Sequence, residues 1–222
     1  MIALHVEVPY ASFRKSYARS FAETYPFPPP ATIYGMLLSY VGEYFRACHV
    51  GVKLAFAYKQ QPRIATTLRK LSRYKYGVAS NQSKVGNAPD YIETLCNIEF
   101  ICWVDSSSEK KQKERSACSS ASLSLEQRLI EAIQSPEQIT RTGLVCLGLS
   151  DDMVNDVSLI KSIQGKWHWL NPSNTGQIEL PIWVDHVGSY HTRWQRFDFE
   201  VLPSLIDSNP SLEKFIEIAD PR

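Results

Sequence analysis

The residues best suited to chemistry in this chain form a basic run broken by phenols. Lys59, Arg63, Arg69, Lys70, Arg73, Lys75 and Lys84 fall within residues 59–92, with Tyr74, Tyr76 and Tyr91 interleaved and only Asp90 opposing them. Cations at this density supply phosphate contacts, and phenol rings offer flat faces to unstacked bases. The plainer reading is a solvated surface helix whose tyrosines turn toward the core. Charge balance bears on the choice. The formal net charge is only +1, yet residues 1–90 hold 12 Lys+Arg against 4 Asp+Glu and residues 91–222 hold 12 against 19. A basic half of this kind fits a polyanionic partner, unless the two halves merely neutralise each other.

Catalytic chemistry is harder to find. Metal-independent RNA cleavage needs a positioned base, an acid and a cation, which His5, His49, Tyr34 and several lysines can supply. Both histidines lie in apolar alternations, where a structural role is the simpler one. Asp185-His186 with His191 is the one cluster with metal-ligand character, but a five-residue spacing in a strand–turn region defines no coordination geometry. No Walker loop, G-x-G-x-x-G, H-E-x-x-H, zinc-type cysteine pairing or nucleophile motif is present, so no metal and no cofactor is expected. The five cysteines are odd in number and lack Cys-x-x-Cys spacing. With no secretory signal and no apolar run of about 20 residues, a reducing cytoplasm without membrane attachment is expected.

The elements that must position these groups read clearly in the first 150 residues. Ile2, Leu4, Val6 and Val8 alternate with Ala3, His5 and Glu7, predicting a half-buried strand. A polar loop over 9–26 carries Arg14, Lys15 and Arg19. The proline run ending at Pro30 then gives way to a predicted helix over about 32–46, with Thr32 as N-cap. Ile33, Met36, Leu37, Tyr40, Val41, Tyr44 and Phe45 fall on its apolar face, and Gly35 and Gly42 suggest close approach of another backbone. Alternation over 50–58, stopped by Pro62, predicts a second strand, and 94–104 a third. A Ser/Lys-rich loop over 105–122 leads to a capping box, Ser124 and Gln127, opening a second helix. Residues 144–149 predict a fourth strand. The order βαββαβ is that of an α+β, ferredoxin-like sheet, as in RNA-recognition modules, with a free face and a long basic insertion at about 59–92. Residues 151–222 read as a β-rich C-terminal extension ending in a short helix over 211–219.

Three segments taken together, 27–43 (FPPPATIYGMLLSYVGE), 91–104 (YIETLCNIEFICWV) and 129–150 (LIEAIQSPEQITRTGLVCLGLS), resemble the CRISPR-associated protein 5 family of RAMP-superfamily subunits of type I Cascade. The match covers about residues 1–150, and the overall pattern is similar to type I-B-like systems, including transposon-associated forms. The resemblance implies a RAMP fold that grips the 5′ handle of crRNA, with the basic insertion as a thumb. It implies the Cascade backbone and large subunits as partners, and target DNA as an indirect one. On this reading Arg14, Lys15, Arg19, Thr32, Tyr34, Gly35, Arg63, Arg69, Lys70, Arg73, Tyr74, Lys75, Tyr76 and Lys84 are the RNA-binding residues. One branch of the family also cleaves precursor RNA through a Tyr, Lys and His set with an adjacent Lys-His pair. This chain has no Lys-His dipeptide, which argues for a non-catalytic subunit served by a separate repeat endonuclease. The alternatives are a metal-independent endoribonuclease processing pre-crRNA and a standalone single-strand RNA-binding module.

Overall fold

The structure, a computed structural model, describes residues 1–17, 21–73, 86–109, 123–186, 190–206 and 209–220, without the side chains of 69–73 and 86–90. Its frame is one large, largely antiparallel sheet. The strands β1 (Ile2–Ala11), β3 (Lys53–Tyr58), β5 (Gly86–Asp105) and β6 (Asp156–Leu159) lie in the order β6-β1-β5-β3. The sheet continues beyond β3 through β7 (Lys166–Pro172), β9 (Arg193–Phe199) and β8 (Ile178–Trp183). The C-terminal region therefore adds strands to both edges of the same sheet.

Strand alternation assigns the core. Leu4, Val6 and Val8 of β1 stand beside Cys102, Phe100 and Ile98 of β5, with Leu54, Phe56 and Tyr58 of β3 on the same face. All are buried, together with Ile33, Met36 and Leu37 of helix α1 (Pro30–Tyr40) and Leu125 and Leu129 of helix α2 (Leu125–Gln134). Full burial of each large apolar side chain stabilises the fold by roughly 1.5–3 kcal/mol. The opposite face is not free along its length. Ala55, Ala57, Ile101 and Trp103 are covered there by Trp167 and Trp169 of β7, and the Trp103 and Trp169 rings stack at 4.8 Å. The end bearing His5, Glu7 and Glu99 is partly open, with His5 Nε2 3.1 Å from Glu99 Oε1.

Several boundaries differ from those the sequence suggests. Helix α1 starts at Pro30, because proline suits the first helical position with its fixed φ and missing N–H. Thr32 is inside the first turn and makes no side-chain cap. The helix stops at Tyr40: Gly42, at φ 69°, lets its N–H reach Ser39 O and the Glu43 N–H reach Leu38 O. This closing pattern satisfies the last carbonyls. Tyr44 and Phe45 are consequently off the core face, 69% and 54% exposed. Gly42 does meet another backbone, that of Thr140, whereas a Cβ on Gly35 would meet nothing within 4 Å.

The fourth strand is Asp156–Leu159, antiparallel to β1. Residues 144–149 form no strand and contribute a single bridge, Cys146 to Met153. In place of a terminal helix there is a short 3-10 turn over Leu212–Lys214, followed by a two-residue strand, Ile216–Glu217, which pairs with β3. The basic insertion is a hairpin: β4 (Arg63–Arg73) pairs with β5 from Arg63–Cys96 to Arg73–Gly86. At its root the short strand β2 (Phe21–Ala22) pairs with Tyr91 and Ile92. No helix among the described residues is long and apolar enough to cross a membrane. Cys96, Cys102 and Cys146 are free thiols.

The capping box on α2 forms as expected, with both Ser124 and Gln127 engaged. Behind it is a buried polar network. Arg128 Nη1 donates to Glu43 Oε2 at 2.7 Å and approaches His49 Nε2 at 3.0 Å, while Nη2 donates to Val41 O at 2.9 Å. A guanidinium only donates, so His49 Nε2 accepts and its proton resides on Nδ1, facing Glu109 Oε2 at 3.0 Å. Burial pushes the Glu109 carboxyl upward. Hydrogen bonds from His49, Ser106 and the Leu125 N–H outweigh this and hold it below the usual carboxylate range.

Two predictions follow from this network. Arg128→Met takes the guanidinium from the buried Glu43 carboxylate, which keeps the Phe45 N–H at 3.0 Å, and is expected to cost about 3–5 kcal/mol in denaturant titration, while adding Glu43→Leu recovers most of the loss. Because its folded-state pKa is depressed, Glu109 stabilises the protein above the ordinary carboxylate range and loses that contribution as pH falls through the lowered value. Glu109→Gln is therefore expected to flatten the acid side of the stability–pH curve. An unchanged acid limb would contradict the assignment.

Candidate nucleic-acid interface

Beyond its C-terminal end, β1 turns into an irregular hairpin. Phe13 N–H donates to Thr24 Oγ1 at 2.9 Å, Tyr25 N–H to Phe13 O at 3.0 Å, and Arg14 and Thr24 bridge as antiparallel partners. This places Arg14 and Tyr25 beside the N-terminus of α1. The sheet curls so that β8 packs on α1, with the Trp183 and Tyr34 rings 6.4 Å apart. Between them comes the loop carrying Gly148 and Leu149.

That loop is fixed by one carboxylate. Asp152 Oδ2 accepts from the Ser12 N–H and the Leu149 N–H, each at 2.8 Å, and Asp152 is buried. Gly148 adopts φ 116°, and a Cβ there would come within 2.9 Å of Ser12 O and 2.7 Å of Asp152 Oδ2. Glycine is required for this approach. Asp185 performs a similar service for the loop beyond β8, accepting from the His191 N–H at 3.2 Å. The Asp185-His186-His191 group is thus tied into a turn. Among the described residues the ligand-type atoms that gather are those of His5, Glu7 and Glu99, within 4.8 Å on the far face of the sheet.

Two clefts result, sharing Thr32, Gly148 and Val184 as a common ridge. The first, about 440 Å³, has Arg14, Tyr25, Trp194, Thr192 and Ser12 in its lining. The Tyr25 and Trp194 rings lie 6.2 Å apart, and Trp194 is 43% exposed. The second, about 370 Å³, is bounded by Gly35, Ser39, Arg46, Trp183 and His186. The Arg46 guanidinium lies 4.6 Å from the Trp183 ring centre and donates to Val184 O. Among the described residues neither lining includes an aspartate or a glutamate. Cations, aromatic faces and hydroxyls without acids make a surface suited to an anionic, flat-ringed ligand.

The residues singled out from sequence are distributed unevenly over this surface. Arg14, Thr32 and Gly35 meet at the clefts. Tyr34 borders the second, but its ring is buried and its hydroxyl donates to Arg46 O at 2.6 Å, so it is a packing residue. Lys15 is ion-paired with Glu23 at 3.0 Å. Burial lowers its pKa, but the Glu23 and Tyr17 contacts outweigh that and hold it above the usual value. Arg63 is exposed at the hairpin root, and Arg69, Lys70 and Arg73 continue along β4 opposite Asp90, Pro89 and Gly86. Arg19, Tyr74, Lys75, Tyr76 and Lys84 lie outside the described residues.

The helix N-terminus offers little to a phosphate. Pro30 has no N–H, and the Thr32 and Ile33 N–H groups both bond Pro29 O. Trp183 and Trp194 complete the clefts from segments remote in sequence, while Tyr25 and Arg46 come from just before and just after α1. Only Gly148, a lone glycine in an apolar run, carried a local signal of close backbone approach.

A family described as CRISPR-associated protein (Cas_Cas5) matches residues 1–118. The CRISPR-associated protein Cas5 of Myxococcus xanthus (strain DK1622) is 37% identical over 198 residues, covering 88% of both chains. The chain belongs to the Cas5 family. A solved chain described as a CRISPR RNA-guided surveillance complex shares its fold, with a TM-score of 0.58 over 96% of this chain and 95% of that one at 10% identity. For this Cas5 chain the clefts depend on the Asp152 clamp. Asp152→Ala orphans the buried Ser12 N–H, at roughly 1–3 kcal/mol, and removes the acceptor of the part-buried Leu149 N–H. A lowered denaturation midpoint is expected, and Gly148→Val should reproduce it; a midpoint matching the parent in both variants would contradict the clamp.

Proposed function

We propose that this protein is a non-catalytic Cascade subunit that holds the 5′ handle of crRNA as a single strand in the paired clefts. The observation that carries the reading is the acid-free lining, with Arg14, Arg46, Tyr25, Trp183 and Trp194 converging on one ridge. In a chain of net charge +1 such a surface suits a polyanion with stackable bases. Family membership supports the CRISPR setting. The strand order β6-β1-β5-β3, with α1 and α2 packed on one face, fits a ferredoxin-like RAMP domain that runs through β6 to Leu159, past the boundary near residue 150 expected from sequence. On this reading the β4–β5 hairpin is the thumb and lies along the guide toward the backbone subunit. The large subunit docks alongside, and target DNA is met indirectly.

Binding without cleavage fits the placement of the groups that cleavage would need. Tyr34 gives its hydroxyl to a backbone carbonyl, His49 is locked between Arg128 and Glu109, and His5 lies on the opposite face of the sheet. The decisive setting is the complex purified with its neighbouring subunits and the RNA it retains. Trp194→Ala is expected to weaken RNA retention by about 1–3 kcal/mol, the value of one base–aromatic stack. Arg14→Ala should lower the log–log salt slope by about 0.7 if it meets one phosphate. Wild-type affinity and slope in both variants would overturn the interface, and specific cutting of repeat RNA would restore the endoribonuclease reading.

A further inference from the structure

The face of the sheet turned away from α1 and α2 carries a group that RNA binding does not use. His5 and Glu7 are two apart on β1 and so share that face, and Glu99 of β5 stands directly opposite Glu7. Like charges directly opposite each other on paired strands are destabilising, and a cation between them removes the penalty. Among the described residues no lysine or arginine pairs with either carboxylate. The nearby Lys59 ammonium lies instead over the Trp167 ring, 4.8 Å from its centre.

What the two carboxylates meet is an imidazole. His5 Nε2 lies 3.1 Å from Glu99 Oε1, and Nδ1 lies 3.9 Å from Glu7 Oε1. The Trp167 ring meets the imidazole edge-on at 6.0 Å, and Asn155 Nδ2 donates to the other oxygen of Glu7 at 3.5 Å. Supporting contacts of this kind orient ligand atoms around an ion. Glu7 and Glu99 also line a cleft of about 400 Å³ with Gln60, Asn97 and Asn155, which leaves room for water to complete a coordination shell. The side chains of His5, Glu7 and Glu99 are 22%, 45% and 37% exposed, so an ion can reach them from solvent.

Ligand atoms held by a tetrahedral zinc ion lie about 3.3 Å apart. The His5–Glu99 pair already has this spacing. All three ligand atoms fall within 4.8 Å of one another, so the widest pair has to close by about 1.5 Å at most, a distance that glutamate rotation supplies. One imidazole nitrogen with two carboxylate oxygens is a zinc-type donor set, whereas magnesium and calcium take oxygen ligands. We propose that His5, Glu7 and Glu99 form a site for a divalent transition cation of the zinc type, which bridges β1 and β5 and offsets the facing carboxylates. The site is independent of the RNA-binding reading and stands or falls without it.

Isothermal titration of zinc into the metal-stripped full chain tests this, with magnesium as the control. The parent is expected to bind one equivalent that is weakened at least about tenfold in both His5→Gln and Glu99→Gln. Zinc should raise the melting midpoint of the parent and not that of either variant, and magnesium should show no saturable binding. If one variant fails to fold, Glu7→Gln takes its place. No saturable zinc equivalent in the parent overturns the site and leaves His5 as a plain bridge between two carboxylates. Undiminished zinc binding in Glu99→Gln overturns it too, because the ion is then held elsewhere, and so does magnesium binding as tight as that of zinc.

Discussion

One buried carboxylate governs the shape of the working surface. Asp152 takes the N–H groups of Ser12 and Leu149 on the same oxygen, joining the end of β1 to the loop that follows α2. Gly148 can then press its α-carbon against Ser12, and the ridge it forms with Thr32 and Val184 divides one depression into two clefts. Both clefts thus inherit their geometry from the end of strand β1, which lies between β5 and β6 in the sheet. A charged acceptor on backbone donors is stronger than a neutral one, which suits a joint between two irregular segments.

The distribution of acids follows the same logic. Glu43, Asp152 and Asp185 are buried and face backbone or guanidinium donors, and Glu109 joins His49 behind α2. Glu7, Glu99 and Asp156 occupy facing positions on β1, β5 and β6, on the side of the sheet away from the helices. Among the described residues both clefts are thereby free of acids, even though the second half of the chain carries most of them. The near-zero net charge conceals an uneven placement of acids among the described residues, which bears on which side meets RNA.

What the sequence showed depended on how local each signal was. The alternations of β1 and β5, the Ser124–Gln127 cap and the apolar face of α1 all lie within about a dozen residues, and all form. The ends of α1 were misplaced because a proline at N1 and a glycine just past the C-cap compete with the apolar periodicity that runs on to Tyr44 and Phe45. The fourth strand was assigned to the apolar run 144–149, but the short Asp156–Leu159 takes the edge of β1. The apolar run is needed to place Gly148 instead. Half of each cleft was visible in advance through Arg14, Thr32 and Gly35. The other half comes from Arg46, Trp183 and Trp194, and no local pattern relates these three: the curl of the sheet that brings β8 onto α1 is a long-range property.

The most direct test of the central claim is ultraviolet crosslinking of a bound single-stranded RNA to the full-length protein, with the attachment sites mapped by mass spectrometry. Tyr25, Trp194 and Trp183 line the clefts, and peptides carrying them should hold the adducts. Crosslinks confined to β7 and the opposite face of the sheet, at Trp167 or Trp169, would contradict the account.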